Sequence, residues 1–332
     1  MAVYTPLDAA TLAELIARYD VGTLVAAKGI AEGVSNSNWL VETTGAANGG
    51  DNRFILTVYE RRIDIGDLPF FLALLDHLAT RGCPVPRTVP ARDGQAYQTI
   101  GGKAAALIQF LPGLSVERPT PGLVREVGRA LAGIHLAAAD FPLSRAQTLG
   151  LPAWRAMAGD AGKDGLTRID ADLPRILADE LAYLDTHWPT GLPRGAIHAD
   201  LFPDNVLTLD DTVTGLIDFY FAATDFFAYD LAVTHAAWCF TPGESRFRAD
   251  LSAALLEGYA AERPLSGEER AALPVLARGA AVRFIASRAL DWLETPASAT
   301  VRRKDPVEFV RRLAIYQQGG AAIFTSACRA GR

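Results

Sequence analysis

Three side chains near the middle of the sequence have the types and spacing of a phosphoryl-transfer centre. Asp200 follows an apolar run that ends at Ile197, Asn205 comes five residues later, and Asp218 ends a further apolar run. Phosphoryl transfer needs hard oxygen ligands for a divalent cation and an acceptor for the proton of the attacking hydroxyl. The pattern therefore predicts Asp200 as the proton acceptor, with Asn205 and Asp218 holding Mg²⁺ against nucleotide phosphates.

A β-hairpin is predicted to return Asp218 to the side of Asn205. Two apolar runs, at 206–209 and 213–217, flank the polar residues 210–212, and this pattern indicates two strands joined by a tight turn. The structural alternative is a polar loop whose carboxylates only cap turns. That alternative does not explain why both aspartates stand at the ends of apolar runs.

The residues around these side chains resemble those of a known superfamily. The sequence reads His-x-Asp-x-x-x-x-Asn from His198, and Ile-Asp-Phe follows from Ile217. This resembles the catalytic and metal-binding loops of protein kinases and, more closely, of the aminoglycoside-phosphotransferase-like small-molecule kinases. The resemblance implies an α+β, bilobal, protein-kinase-like fold with an antiparallel-sheet N-lobe and a mainly helical C-lobe.

Composition and charge restrict the class of protein. Half of the 332 residues are apolar, which is enough for a large core and about two domains. The formal net charge is −6, without a long block of one sign, which argues against a nucleic-acid partner. The three cysteines have neither metal-ligand spacing nor the pattern of a disulfide framework. With no signal-peptide pattern and no apolar run long enough for a bilayer, we expect a cytoplasmic protein without a membrane partner.

The elements that would position the centre begin with a sheet-rich lobe, predicted for residues 1–111. The apolar spacing and β-branched content predict an amphipathic first helix, about five antiparallel strands and a second helix at 67–81. The turn after the first strand carries Gly33, Ser35 and Asn36. Backbone N–H groups in such a turn can form an anion nest, so these residues are predicted to cover nucleotide phosphates. An ordinary polar turn is the alternative.

Thr57 lies in the predicted strand at the place where kinases carry a phosphate-binding Lys. The helix that follows, at 67–81, has no Glu. Both members of the usual Lys–Glu pair are therefore predicted to be absent together. Four cations elsewhere in the lobe are alternatives for the phosphate charge, although each also fits a solvated surface position: Lys28, Arg61, Arg62 and Lys103.

A hinge is predicted at about 109–114, which divides the chain into lobes at 1–111 and 112–332. The segment Gln109-Phe110-Leu111 follows the last strand, and Pro112-Gly113 ends it. Backbone groups of Gln109, Phe110 and Leu111 can meet the adenine edge of a nucleotide, and the apolar side chains can form a wall beside it. A plain interlobe linker would have the same pattern.

The second lobe is predicted to be mainly helical, with three candidate substrate residues. Asp225 stands in an apolar run and could reach a cationic group. Arg288 and Asp291 belong to a polar and aromatic set, with Arg283 and Trp292, on one long helix. Arg288 with Asp291 could present both charges to a zwitterion, or the two could simply pair with each other.

Two further polar residues are interpreted as structural. Asp230, near the start of a helix, is predicted to brace the catalytic loop, because a buried carboxylate needs hydrogen-bond partners. His135 lies beside the apolar face of its helix and is predicted to be a core histidine. Neither residue is assigned chemistry.

Over nearly its full length the chain resembles the bacterial homoserine kinases of the aminoglycoside-phosphotransferase superfamily. The segments that carry this resemblance are 54–60, 67–72, 193–207, 215–222, 229–232 and 304–309. The resemblance implies transfer of the ATP γ-phosphate to the side-chain hydroxyl of L-homoserine, with ATP and Mg²⁺ as cofactors and Thr in place of Lys at position 57. A kinase for an aminoglycoside or choline and a catalytically silent nucleotide-binding pseudokinase stay open as alternatives, as does the choice between monomer and homodimer.

Overall fold

The chain divides into two compact units. The computed structural model describes residues 7–30, 36–46, 50–60, 64–295 and 303–325. The first unit comprises Met1–Gly113 and Thr214–Tyr220, and the second comprises Leu114–Val213 and Phe221–Arg332. The sequence placed the first boundary two residues earlier and assigned 214–220 to the second lobe, so the assignment of that segment is corrected. Within the described ranges, none of the helices has both the length and the apolar character to cross a membrane.

The first unit is built on an antiparallel sheet of six strands, one more than the sequence predicted. Its elements are α1 (Ala9–Ile16), β1 (Leu24–Ile30), β2 (Ser37–Thr43), β3 (Arg53–Val58), α2 (Leu68–Thr80), β4 (Thr88–Val89), β5 (Gln98–Ile100) and β6 (Lys103–Gln109). The strand order is β1-β2-β3-β6-β4, and β5 also pairs with β6. Neighbouring strands run antiparallel throughout.

The core of the first unit lies between α1 and one face of this sheet. Leu15 and Ile16 of α1 pack with Leu56 and Val58 of β3, and all four side chains are buried. Successive side chains of a strand point to opposite faces, so Thr57 lies on the other face of the sheet. Burial of each large apolar side chain stabilises the unit by roughly 1.5–3 kcal/mol.

Packing explains why the segment Thr214–Tyr220 belongs to the first unit. The backbone N–H of Leu216 donates to the carbonyl of Pro84 at 2.7 Å. The Tyr220 ring meets Tyr59 edge-on, with ring centroids 5.4 Å apart, and meets Phe71 at 5.9 Å. These partners lie more than 100 residues earlier in the chain, so no local pattern could have revealed them.

The second unit is mainly helical. Its elements are β7 (Leu114–Ser115), α3 (Pro121–Ala137), α4 (Leu151–Ile169), α5 (Leu173–His187), β8 (Arg194–Ile197), β9 (Val206–Leu209), β10 (Thr212–Leu216, which ends in the first unit), β11 (Ala223–Phe226), α6 (Phe227–Trp238), α7 (Ala249–Glu262), α8 (Gly267–Glu294), α9 (Val307–Gly319) and α10 (Ala322–Thr325). β9 pairs with β7, and β8 pairs with β11. The sequence Ser266-x-x-Glu269 predicts a capping box at the start of α8. The structure confirms it, because Ser266 and Glu269 bond each other's backbone N–H groups.

The sequence missed α4. This helix contains Gly159, Gly162 and Gly165, and glycine lowers helix propensity by about 1 kcal/mol per residue. Gly162 has φ +66°, which breaks the helix geometry at that residue. α4 packs against α8, where Trp154 is fully buried, so tertiary contacts outweigh the weak local preference.

Helix α6 lies at the centre of the second unit, and its buried His235 predicts acid-sensitive stability. The ring nitrogens bond the Tyr316 hydroxyl at 2.8 Å and the Ser252 hydroxyl at 2.9 Å. Burial lowers the pKa of His235 from 6.5 to about 3. The unfolded chain therefore binds a proton below about pH 6.5, and the folded chain does not until about pH 3. The free energy of unfolding should fall as the pH falls through this range, by at most about 1.4 kcal/mol per unit from this residue.

Urea denaturation at pH 7, 6, 5 and 4 measures this effect. His235→Gln removes the titrating group, so its free energy of unfolding should fall less steeply with acid than that of the parent protein. His187→Gln is the matched control, because His187 is exposed and should leave the slope nearly unchanged. Equal slopes for the parent and His235→Gln would contradict the prediction.

Candidate active site

The loop that follows β8 carries the predicted base, Asp200, on a strained backbone. Ala199 has φ +64°, a region that non-glycine residues rarely adopt. The N–H groups of His198 and Ala199 both donate to the carboxylate of Asp230 on α6, at 2.8 and 2.7 Å. Asp230 therefore holds the backbone in the conformation that presents Asp200.

The carbonyl groups of the same loop are held as firmly. The carbonyl of Ala199 accepts from the Arg283 guanidinium of α8, that of Asp200 accepts from Asn205, and that of Leu201 accepts from the Trp238 indole at 2.8 Å. Backbone groups buried in a loop need such partners. The loop is thus fixed by side chains from α6, from α8 and from its own end.

Asp230 belongs to a buried hydrogen-bond chain. Its Oδ2 atom accepts from Nε2 of His135 at 2.9 Å, and Nδ1 of His135 bonds the Tyr259 hydroxyl at 2.7 Å. Burial alone would raise the pKa of Asp230, but the bonds from His135 and the loop outweigh burial and lower the pKa. Burial lowers the pKa of His135, so its ring is neutral beside an ionised carboxylate. These contacts agree with the structural roles predicted for Asp230 and His135.

Asn205 ends a 3-10 turn at Pro203–Asn205 and faces the base. Its Nδ2 atom donates to the carbonyl of Asp200 at 2.8 Å and lies 3.5 Å from Oδ2 of Asp200. Because the nitrogen must face that carbonyl, the orientation of the amide is determined. Oδ1 is then the hard oxygen that Asn205 can offer to a cation.

Asp218 follows β10 and has φ +66°. A left-handed conformation at a non-glycine residue costs about 1–3 kcal/mol and is often found at functional sites. β9 and β10 are neighbours in one sheet, as predicted. Because Asp218 belongs to the first unit and Asn205 to the second, their shared role as metal ligands stays a prediction from the sequence.

Thr57 forms a neutral pair where kinases carry a charged one. It is buried, and its hydroxyl donates to Oδ1 of Asn38 on β2 at 2.9 Å. A buried Lys without a carboxylate partner would be costly, whereas a hydroxyl–amide pair satisfies both groups. The absence of Lys from position 57 and of Glu from the helix at 67–81 is therefore consistent with local packing.

The other residues predicted at the phosphate-covering turn are only partly described. Gly33 and Ser35, together with Arg61 and Arg62, lie outside the described residues. Asn36 is buried and its Oδ1 accepts from the N–H of Glu60 at 3.4 Å. Lys103 forms an ion pair with the same Glu60, and Lys28 is exposed on β1.

The predicted adenine contacts follow β6. The amide of Gln109 bonds the Asp51 carboxylate at 3.2 Å and the N–H of Arg87 at 3.4 Å. Both ends of this amide are engaged, so a nucleotide would meet this segment through backbone atoms. Phe110 and Leu111, which come next, are partly exposed.

The three predicted substrate residues lie in different surroundings. Arg288 donates to Oε2 of Glu308 at 3.0 Å and to the carbonyl of Asp305 at 3.2 Å. Asp291 is exposed on the next turn of α8. Asp225 accepts from Gln147 and from a backbone N–H, and burial raises its pKa.

Sequence reasoning missed two contacts of α8. Nη2 of the buried Arg283 lies 3.8 Å from Oδ1 of Asp200, and Arg288 pairs with Glu308 of α9. The local signal was the recurrence of arginines on a helix whose other residues are mainly apolar. This pattern indicates a buried cation but does not identify its partner.

An antiparallel sheet in one unit, helices in the other and a braced Asp200–Asn205 loop define a kinase-like phosphotransferase. The family model described as "Phosphotransferase enzyme family" matches residues 26–265. The chain therefore belongs to the phosphotransferase enzyme family and is an ATP-dependent phosphotransferase.

Curated relatives and solved structures support the same placement. A homoserine kinase of Azorhizobium caulinodans is 49% identical over 97% of this chain and 98% of its own. A homoserine kinase of Xanthobacter autotrophicus is 50% identical over 96% of each chain. The structure of amicoumacin kinase hAmiN, in complex with AMP-PNP, Ca²⁺ and amicoumacin, has a TM-score of 0.66 at 14% identity, covering 95% of this chain and 94% of its own. The expected α+β, protein-kinase-like fold is thus confirmed.

Proposed function

We propose that the protein transfers the γ-phosphate of ATP to the side-chain hydroxyl of L-homoserine and forms O-phospho-L-homoserine. The observation that carries this proposal is the identity of about one half to curated homoserine kinases over nearly the whole chain. The residue types and contacts of Asp200 and Asn205 also fit a phosphotransferase centre. The proposal therefore assigns one substrate to this centre.

In this reaction Asp200 is the general base. It orients the substrate hydroxyl and accepts its proton as the oxygen attacks the γ-phosphorus. Arg283 and Asn205 contact the backbone of the loop beside it, so the carboxylate is positioned before substrate arrives. Catalysis of this kind depends mainly on positioning and electrostatics.

Asn205 and Asp218 are the proposed Mg²⁺ ligands. Within the described part of the chain, no group of three or more His, Cys, Asp or Glu side chains is placed to hold a metal. An amide oxygen and one carboxylate fit a cation that takes most of its ligands from nucleotide phosphates and water, as Mg²⁺ does. When bound, the ion would neutralise the charge that develops on the phosphates.

The remaining nucleotide contacts are proposed from the family resemblance. Gly33, Ser35 and Asn36 would cover the phosphates. Thr57 would stand beside them without a charge, and the backbone from Gln109 to Leu111 would meet the adenine.

Arg283 supports the base itself. Its buried guanidinium lies 3.8 Å from Oδ1 of Asp200 and forms an ion pair with that carboxylate. Cys83 and Cys239 are free, which fits the cytoplasm that we propose as the compartment.

A coupled ADP-release assay tests this proposal. The panel is L-homoserine, D-homoserine, L-serine, choline and kanamycin, each with ATP and Mg²⁺. We expect kcat/KM for L-homoserine to exceed that of every other acceptor by at least about 100-fold, because a site that pairs polar groups rejects substrates that leave them unpaired. Preferred turnover of choline or kanamycin would contradict the assignment of L-homoserine as the substrate. ATP binding without turnover of any acceptor would indicate a silent pseudokinase.

A further inference from the structure

A charged cluster, here called the α8–α9 cluster, lies in the second unit beside the catalytic loop. It consists of Arg288 on α8 with Glu308 and Arg312 on α9. Oε2 of Glu308 is 3.0 Å from the Arg288 guanidinium and 4.0 Å from that of Arg312. One carboxylate oxygen thus lies near two cations.

The cluster is connected to the loop that carries the base. Phe202, two residues after Asp200, packs against Phe284 of α8 at 4.9 Å and Phe309 of α9 at 6.4 Å between ring centroids. The Arg288 guanidinium lies over the Phe309 ring at 4.5 Å. Packed aromatic rings therefore connect the loop to Arg288.

The charge of Arg288 depends on its surroundings. Burial lowers the pKa of Arg288, and the negative charges of Glu308, Asp200 and Asp305 oppose that shift. The carboxylate of Asp305 already accepts from the N–H of Val307, so it serves the start of α9 as well.

The charges of the cluster are not those that stability alone would select. A buried ion pair seldom adds stability over a well-packed apolar pair of the same volume. Here two arginines share one glutamate oxygen. Burial is the main cause that lowers the pKa of Arg312 to about 10, and the positive charge of Arg288 lowers it further. A further anion near Arg288 would relieve this repulsion.

We propose that the Arg288–Glu308 pair recognises the α-amino-acid end of the substrate. The guanidinium binds the carboxylate, and Oε1 of Glu308 accepts from the ammonium group. This inference rests on the proposed function and assigns two specificity residues to it.

Truncated substrates separate the two halves of this site. 3-Aminopropan-1-ol lacks the carboxylate of L-homoserine, and 4-hydroxybutanoate lacks its ammonium group. Arg288→Met should lower kcat/KM about 10- to 100-fold for L-homoserine and 4-hydroxybutanoate, since hydrogen bonds between charged groups are lost. For 3-aminopropan-1-ol it should change kcat/KM less than about 3-fold.

Glu308→Gln should show the opposite selectivity. It should lower kcat/KM for L-homoserine and 3-aminopropan-1-ol and spare 4-hydroxybutanoate. Arg288→Lys keeps the charge but not the planar fork, so its loss should be intermediate. Arg311→Met is the matched control on α9, because Arg311 is exposed and, within the described part of the chain, donates to the backbone carbonyl of Gly243. The kcat/KM of this variant should stay within about 2-fold of the parent value.

Thermal unfolding with Mg·ATP shows whether each variant is folded and binds nucleotide. If Arg288→Met does not fold, the comparison of Arg288→Lys with Glu308→Gln tests the inference. Opposite substrate preferences in these two variants would support it, and equal preferences would overturn it. Equal loss on all three acceptors would overturn the inference and leave homoserine phosphorylation standing. No turnover of L-homoserine by the parent enzyme would overturn the proposed function and this inference with it.

Discussion

Asp200→Asn is expected to lower kcat by about 1000-fold, because an amide cannot accept the proton of the attacking hydroxyl. The substitution preserves shape, and the backbone bonds of the loop do not involve the lost charge. The carbonyl of residue 200 would still accept from Asn205, and its N–H would still donate to Nδ1 of His198. Nucleotide affinity should therefore change little, which separates the base from a metal or phosphate ligand.

Two measurements check this result. Turnover is followed by ADP release with L-homoserine, and nucleotide binding is followed by calorimetry with Mg²⁺ and a non-hydrolysable ATP analogue. Asp204→Asn is the matched control, since Asp204 lies in the same loop but has a 76% exposed side chain, 3.9 Å from Lys304. It should keep kcat within about 3-fold, because exposed ion pairs contribute little. Near-native turnover by Asp200→Asn would remove Asp200 from the role of base.

Asp230→Asn is expected to have a large effect on stability. Each oxygen of Asp230 accepts from a backbone N–H of the loop, and one also accepts from His135. An asparagine must place an NH₂ group, a donor, opposite at least one of these donors. Breaking a buried charged network in this way should lower the free energy of unfolding by about 3 kcal/mol.

The same substitution should also lower activity in the protein that stays folded. Ala199 keeps φ +64° only while its N–H group is held, so relaxation of the loop would move Asp200 away from its position. We expect kcat to fall at least about 100-fold at a temperature where the variant is folded, since small displacements of a reacting group have effects of this size. Urea denaturation and the ADP-release assay measure the two effects separately.

Glu180→Gln separates a loss of stability from a loss of positioning. Glu180 is also buried, and it pairs with Arg278 and Gln317 on α8 and α9. Its replacement should lower the free energy of unfolding by a similar amount, about 3 kcal/mol, and leave kcat of the folded enzyme nearly unchanged. If Asp230→Asn behaves in the same way, Asp230 stabilises the unit without positioning the base.

Local patterns were sufficient for the parts of this protein that depend on neighbours in sequence. Most helices of both units and the main strands of the first unit follow from the apolar period, and the start of α8 follows from its capping box. The spacing of Asp200 and Asn205 predicted that the two residues act in one centre, and in the structure the Asn205 amide donates to the Asp200 carbonyl. The exceptions are informative, since α4 contains three glycines and the pattern there was too weak to recognise.

Long-range packing alone decided which side chains support that loop. His135 and Asp230 are 95 residues apart, and the Arg283 bond to Ala199 spans 84 residues. Composition and periodicity marked these residues as polar groups among apolar ones but carried no information on their partners. The strain at Ala199, the placement of Thr214–Tyr220 and the pairing of Arg288 with Glu308 likewise depend on contacts between distant elements. The chemistry was therefore visible in a few adjacent residues, whereas its positioning required the folded chain.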